Sequence, residues 1–277
     1  MPKLSIIILN YKNKGLIKNL IQYLLEVSQA IPFEIIVVDN NSQDSIAADL
    51  EKRFANHLNG SIEPRLIFIQ TGKNGGYAYG NNQGLKTAKG DYYLILNPDM
   101  AIFEDAIKVL YNFMESHLKV GLAGPQLLNA DKTIQDSCRR FPDGLLPLAR
   151  RTIFGRTAWG KKWNNHFLMK DFDHQKNLPV DWLFGAALMV RAGAAREVGL
   201  LDDRYFLYME DLDWCRRFWA KHWEVWYVAE AKLIHFHQRK SDDDLGAFGI
   251  FKKSGRIHVA SWLKYFWKYL GKPLPKK

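Results

Sequence analysis

A chain of 277 residues that is 47% hydrophobic and holds only two cysteines, Cys138 and Cys215, can bury a large core, and is neither disordered nor built on disulfides or a thiolate metal cluster. Lys and Arg number 39 against 29 Asp and Glu, much of the excess lying in Arg139, Arg140, Arg150, Arg151, Arg156, Lys161 and Lys162 and in the tail from Lys252 to Lys277, and the formal net charge of +10 calls for a polyanionic partner: nucleic acid, anionic lipid or a phosphorylated metabolite. The apolar stretch Leu4 to Leu9 is too short for a signal peptide or a membrane span, so a reducing, cytoplasmic setting is expected.

Leu4 to Leu9, with β-branched Ile6, Ile7 and Ile8, predicts a strand buried on both faces of a parallel sheet. Leu16, Leu20, Ile21, Leu24 and Leu25 then fall on one face of a helix. Ile35 to Val38 predicts a second strand, Ile46, Leu50 and Phe54 a second helix, Leu66 to Ile69 a third strand, and Asp91 to Leu96 a fourth. Ala106, Leu110, Phe113 and Met114 mark the next helix. This alternation through about residue 124 predicts an α/β fold, a Rossmann-like, mostly parallel central sheet flanked by helices. From Pro125 to Pro179 the regularity gives way to an irregular excursion rich in Arg, Trp, Gly and Phe that flanks a cleft. Patterning returns at Trp182 to Val190, a helix is expected over Asp211 to His222, and a strand over Glu224 to Val228. The chain is accordingly divided into a nucleotide-binding half, 1–124, an acceptor and catalytic half, 125–245, and a basic, aromatic helical extension, 246–277.

Five clusters carry chemistry. Asn97-Pro98-Asp99 closes the fourth strand, where open α/β sheets bind ligands; an amide oxygen and a carboxylate two residues apart suit a hard cation and its diphosphate, although Asn-Pro-Asp is also an ordinary turn. Asp39-Asn40-Asn41-Ser42 closes the second strand, where a carboxylate can accept the N3 hydrogen of uracil or thymine while the amides and hydroxyl reach ribose; capping by Ser42 or Asp44 competes with that role. Gly72 to Gly84, containing Lys73, Asn74, Gly75, Gly76 and Asn82, lets backbone approach a phosphorylated ligand and opens a helix, without matching a P-loop or dinucleotide fingerprint. Glu210-Asp211 opens another helix, as a dipole cap or as a proton acceptor for an attacking hydroxyl; beside the other clusters Asp211 is read as the base. His235 and His237 share a face if extended, and either can complete the sphere of a Mn²⁺ or Mg²⁺ ion on Asp99 or serve as a structural pair; no Cys/His cluster suggests zinc.

In order, SIIILNYKN at 5–13, VVDNNSQD at 37–44, NGGYAYGNNQG at 74–84, YLILNPDM at 93–100, FGAALMVRA at 184–192, YMEDLDWCRR at 208–217 and AKLIHFH at 231–237 resemble an inverting family 2 glycosyltransferase of GT-A fold, of the rhamnosyltransferase-like bacterial branch. The resemblance implies that Asp39 binds the pyrimidine and that Asn97-Pro98-Asp99 stands for an Asp-x-Asp metal motif whose first acid is replaced. It makes Asp211 the catalytic base and favours His235 over His237 at the metal. Asn10, Tyr11, Asn41, Ser42, Lys73, Asn74, Gly75, Gly76, Asn82 and Asn97 are assigned to the donor. The implied reaction is a single displacement with inversion, in which the metal and Lys73 neutralise the leaving diphosphate and Glu210 supports the oxocarbenium-like transition state. A dTDP- or UDP-sugar donor, a glycan or polyprenyl-linked acceptor in cell-surface polysaccharide synthesis, and no nucleic-acid partner follow.

The extension places Trp262, Phe266, Tyr269 and Leu270 at helical spacing among lysines, which suits either an interfacial helix on the cytoplasmic face of an anionic inner membrane or a helix docked on its own domain. Two rivals are weaker. A sugar-phosphate nucleotidyltransferase lacks its N-terminal Gly-rich signature here, and a nucleic-acid binder stacking bases on Trp159 and Trp163 lacks a recognised module.

Overall fold

The computed structural model describes residues 1–26, 31–103, 105–142, 155, 157–236 and 253–276. Arg150, Arg151, Arg156, His237, Lys252 and the start of the extension drawn from residue 246 lie outside the described residues. In chain order the elements are β1 (Leu4–Asn10), α1 (Lys14–Glu26), β2 (Phe33–Asp39), α2 (Ile46–Leu58), β3 (Leu66–Gln70), α3 (Tyr77–Thr87), β4 (Tyr92–Leu96), β5 (Met100–Ile102), α4 (Ala106–Ser116), β6 (Val120–Leu128), β7 (Cys138–Arg139), α5 (Ala158–Phe167), β8 (Leu178–Pro179), β9 (Trp182–Leu183), β10 (Ala187–Arg191), α6 (Ala192–Val198), α7 (Glu210–Ala220), β11 (Glu224–His235) and α8 (Lys253–Tyr269).

The main sheet runs β3-β2-β1-β4-β10-β6-β11-β5, with β8 on the flank of β11. β1 to β4 are parallel, and the alternating strands and helices that precede residue 124 form the expected α/β core. Side chains of β1 take turns between two cores. Leu4, Ile6 and Ile8 enter the one covered by α1, α2 and α4, and Ile7 the one covered by α3 and α7. On α1 the buried stripe is Ile17, Leu20, Ile21 and Leu24; Leu16, expected on that face, is 42% exposed because it falls one position outside the i, i+3, i+4 row.

The later strands depart from the sequence reading in ways that build the site. β6 continues through Pro125 to Leu128, crossing the division drawn at residues 124 and 125. β10 inserts antiparallel between β4 and β6. β11 is a single strand of 12 residues and does not end at Val228, because a bulge between Val228 and Lys232 resets its register on β6. That irregularity carries the strand on to β5, where His235 lies opposite Met100.

The helix of the extension docks on its own domain. Trp262 and Tyr265 are buried, Ser261 Oγ donates to Leu207 O at 2.8 Å, and Arg216 donates to Tyr265 Oη at 3.1 Å. Lys268 reaches Asp202 and the wholly buried Asp213 at 2.7 and 2.5 Å, while Tyr269 Oη donates to Asp213 at 2.8 Å. Leu270, expected on the same face as Trp262, points out with Leu263 and Trp267.

Candidate active site

The C-terminal ends of β1, β2 and β3 are in register as Asn10, Asp39 and Gln70, so polar residues that follow three apolar strands are delivered to one sheet edge. Asp39 is 2% exposed and accepts from Asn10 Nδ2 at 2.7 Å, from Ser42 N at 3.1 Å and from Gln70 Nε2 at 2.8 Å. The Ser42 N–H is shared with the other carboxylate oxygen at 3.4 Å, so a ligand at Asp39 would compete with this weak contact for an acceptor position. Asn10 is buried and bonded at both ends: its Nδ2 also reaches Ser42 Oγ and Asp44, and its Oδ1 accepts Asn13 N at 3.0 Å. Asn10 and Ser42 therefore brace the loops around Asp39. Ser42 does not cap α2: its hydroxyl accepts Lys12 N at 3.1 Å, and Asp44 takes Ile46 N. Tyr11, 44% exposed, and Asn41, at φ 59°, sit on the loops at this edge.

The glycine-rich segment is tied to the same edge by Asn40, which donates from Nδ2 to Asn74 Oδ1 and to Gly76 O, both at 3.0 Å. The glycines answer chiefly to protein. A Cβ on Gly75 would meet the Tyr79 side chain at 2.3 Å, and one on Gly76, which has φ +90°, would lie 2.0 Å from Phe206 O. The first helical N–H of α3, that of Tyr77, donates to Phe206 O at 2.8 Å. Asn82, expected among the donor contacts, instead donates to Leu201 O at 2.8 Å and accepts Leu201 N at 3.1 Å; both ends of its amide fasten α3 to the loop after α6. Lys73 is exposed, with Nζ 5.3 Å from the Tyr79 ring centre.

Asn97-Pro98-Asp99 leaves β4 at this edge, and its backbone is gripped from both sides: Asn97 N donates to Ala186 O, and Phe236 N donates to Asp99 O, each at 2.9 Å. β11 brings His235 Nε2 to 3.5 Å from Asp99 Oδ1. The other ring nitrogen, Nδ1, lies 2.9 Å from Gln135 Oε1. Gln135 Nε2 donates to Asn129 Oδ1, which fixes the amide so that Oε1 accepts, places the proton on Nδ1 and turns the Nε2 lone pair towards Asp99. Gln135 escaped the sequence reading because a lone glutamine in a loop carries no motif. A carboxylate and an imidazole with an adjacent amide suit Mn²⁺ or Mg²⁺. Among the described residues no group of three or more His, Cys, Asp or Glu could hold a metal ion, so an ion at this pair would need further ligands from elsewhere.

Asp211 joins the site through two peptides. Gly185 N donates to Asp211 Oδ2 at 3.0 Å, and the next residue, Ala186, accepts Asn97 N. Asp211 Oδ1 accepts Leu212 N at 2.8 Å. Burial pushes the Asp211 carboxyl above its ordinary range, against the N–H donors of Gly185 and Leu212, the Trp182 indole and the charge of Arg139. Arg139 itself packs over the Phe184 ring at 4.2 Å and the Trp182 ring at 5.0 Å. It was read only as part of the positive excess; the two-residue pairing of β7 with β9 that puts it here has no sequence signature.

Glu210 differs from the expected charged partner. It is 4% exposed, its Oε2 has no hydrogen-bond partner, and burial followed by the Asp211 charge pushes its carboxyl well above the ordinary range. Burial and the neighbouring Asp211 charge both disfavour its ionised form, which weighs against the expected role as an anionic stabiliser of positive charge. Hydrogen bonds thus run from Asp39 and Asn40 through Gly76 and Tyr77 to Gly185, and from there to Asp211 and Asn97. Asp99 and Asp211 both act on Tyr77, and Asp39 ends β2 next to Asn40.

Known proteins resemble this chain in sequence and in fold. The family model described as glycosyl transferase family 2 matches residues 5–198. An N-acetylglucosaminyl-diphospho-decaprenol L-rhamnosyltransferase of Mycobacterium tuberculosis is 25% identical over 88% of this chain and 80% of its own length. Rhamnosyltransferase WbbL of Escherichia coli K12 is 27% identical over 94% of this chain and 91% of its own. Among solved structures, a mannosyltransferase of Pyrobaculum calidifontis in complex with GDP-Man and Mn²⁺ superposes with a TM-score of 0.59 at 14% identity, over 87% of this chain and 58% of that one. The overall architecture is that of GT-A glycosyltransferases.

Proposed function

The chain belongs to glycosyl transferase family 2, a nucleotide-sugar-dependent glycosyltransferase, and from that premise we propose that it transfers L-rhamnose, with inversion, from a dTDP- or UDP-sugar to a hydroxyl of a polyprenyl-linked glycan. Two relatives named as rhamnosyltransferases, each similar over most of both chains, support the sugar, and the printed acceptor of one supports the lipid-linked class. The observation that carries the reading is the Gly185-Ala186 backbone, which holds Asp211 on one side and Asn97 on the other. A base for an acceptor hydroxyl and a turn for a leaving diphosphate then share one edge.

In this reading Asp39 accepts the N3 hydrogen of the pyrimidine, and the exposed Tyr11 ring stacks on the base. Asn41, Asn74 and Asn97 offer amides to ribose and diphosphate, and Lys73 offers a charge. Asp99 and His235 would hold a Mn²⁺ or Mg²⁺ ion, which would supply neutralisation of the charge developing on the leaving diphosphate. Asp211 accepts the acceptor's proton as its oxygen attacks the anomeric carbon. Incubation with Mn²⁺ and a panel of nucleotide sugars, with and without polyprenyl-diphospho-N-acetylglucosamine, is expected to release nucleoside diphosphate fastest with dTDP-rhamnose and acceptor together. Equal release from every donor with no acceptor dependence would overturn the assignment.

The same reading extends to the cytoplasmic face of the inner membrane. No helix among the described residues is long and apolar enough to cross a bilayer. With the inner face of α8 docked, Leu263 and Trp267 (68% exposed) face outward, Leu270 and Leu274 are exposed in the segment after the helix, and Lys253, Arg256, Lys264 and Lys272 are exposed nearby. Exposed apolar side chains among cations suit an anionic bilayer surface. The protein is expected to float with phosphatidylglycerol vesicles at low salt, and Trp267→Glu to weaken that binding about tenfold; recovery of the parent protein wholly in the pellet would refute membrane contact.

A further inference from the structure

The geometry points to Tyr77 as a positioning residue for the base, acting through Gly185, an assignment that rests on the reading of Asp211 as the proton acceptor. Tyr77 opens α3, where its N–H is anchored on Phe206 O. Its hydroxyl donates a short hydrogen bond to the carbonyl of Gly185, while the N–H of the same glycine donates to Asp211 Oδ2 at 3.0 Å. Gly185 lies between β9 and β10, and with no Cβ its two flanking peptides can rotate widely about φ and ψ. Fastening the carbonyl therefore restricts where the N–H can aim. The fit is close on both sides: a Cβ built on Gly185 would meet Tyr77 Oη at 3.3 Å and Asp211 Cβ at 3.5 Å.

The donor role of the hydroxyl is secure. Burial, and then the neighbouring carboxyl groups of Glu210, Asp211 and Asp99, push the Tyr77 phenol well above its ordinary range, so it keeps its proton at all working pH values. Glu210, Asp211 and Asp99 act on the phenol through their charge rather than as hydrogen-bond partners. The phenol's bond to a peptide carbonyl leaves the base carboxylate available to substrate and passes only orientation to it. The groups around Asp211 are Glu210, Cys215 and the Leu212 N–H on its own helix, Arg139 on β7, the Trp182 indole on β9, the Tyr77 phenol on α3 and the Gly185 N–H; the Gly185 N–H is the one whose direction the Tyr77 hydroxyl sets.

Tyr77→Phe tests the assignment in the intact chain, with donor and acceptor saturating. Turnover is expected to fall about 10- to 100-fold, as small misplacements of a catalytic group do, while the KM for the donor changes less than about twofold. The acid limb of the pH–rate profile is expected to move to higher pH, because Asp211 loses an N–H bond that favours its ionised form and must be ionised to act. A merely structural tyrosine would lower the active fraction without moving that limb. Gly185→Ala, which crowds the same atoms and leaves the hydroxyl in place, is expected to shift the limb in the same direction. If Tyr77→Phe turns over like the parent with an unmoved limb while Asp211→Asn is inactive, the positioning role is refuted and the base stands; if Asp211→Asn is itself active, the underlying reading of the base fails.

Discussion

Asp211→Asn is expected to lower sugar transfer by roughly 10²- to 10⁴-fold, the usual worth of a positioned general base, with donor affinity nearly unchanged. The substitution removes the proton acceptor while Asp39, Asp99 and His235, which lie on other elements of the edge, keep their places. Its pH signature follows from the local electrostatics. Burial raises the Asp211 carboxyl above the ordinary value near 3.8, so acidification protonates the base before it would protonate an exposed aspartate, and activity falls on the acid side at a pH above the usual carboxylate range. Glu210, beside it on α7, is likewise pushed up by burial and then by the Asp211 charge. Steady-state rates of nucleoside diphosphate release across pH, paired with calorimetric titration of the donor nucleotide, check both parts. A variant that transfers sugar at the parent rate would remove Asp211 from the chemistry.

Much of this arrangement was legible in the sequence, for reasons that differ from element to element. Ile6 to Ile8, Ile35 to Val38 and Leu94 to Leu96 are buried without interruption, and a strand covered on both faces has to read as an apolar run. The polar residues that end those runs could then be assigned to one edge, because parallel strands share a direction. The antiparallel β10 was opaque: its partners, β4 and β6, are separated from it by the excursion after residue 128, and five residues of apolar pattern do not state which neighbours they will find. Glycines misled for a related reason. Gly80 and Gly84 are required by contact with Leu9 and Ile7, a tertiary packing demand that looks in sequence like a phosphate loop. Asn10 and Asn82 follow the same logic. An amide in a motif can hold the loop that holds the ligand, and only partners distinguish the two.

Asp213→Ala is expected to destabilise the fold by about 3–5 kcal/mol, the range for removing one member of a buried charge cluster. The carboxylate is wholly inaccessible and accepts from Arg217 Nε at 2.8 Å, Lys268 Nζ at 2.5 Å and Tyr269 Oη at 2.8 Å. After truncation Arg217 retains the carbonyls of Val198 and Leu200 and Lys268 retains Asp202, but the positive charges lose the anion that balanced them. α8 is the element that suffers, because Lys268 and Tyr269 are its links to this cluster. The companion acid gives the pH dependence. Burial opposes ionisation of Asp202, yet hydrogen bonds from Arg204 and Lys268 outweigh it and hold the carboxyl well below its ordinary range. A depressed acid contributes stability that is present above the unfolded value, about 3.9, and is lost as pH falls through the folded one, so the parent's hold on α8 weakens only in strong acid. Urea unfolding near neutrality, with limited proteolysis of α8 as a local probe, is expected to show a lower midpoint and faster cleavage in Asp213→Ala. An unchanged midpoint would mean that docking of α8 rests on the buried Trp262 and Tyr265 faces alone. The location matters for chemistry as well as stability: Asp213 lies two residues beyond the base on α7, and the first turn of α7 is held from behind by the same cluster that binds α8.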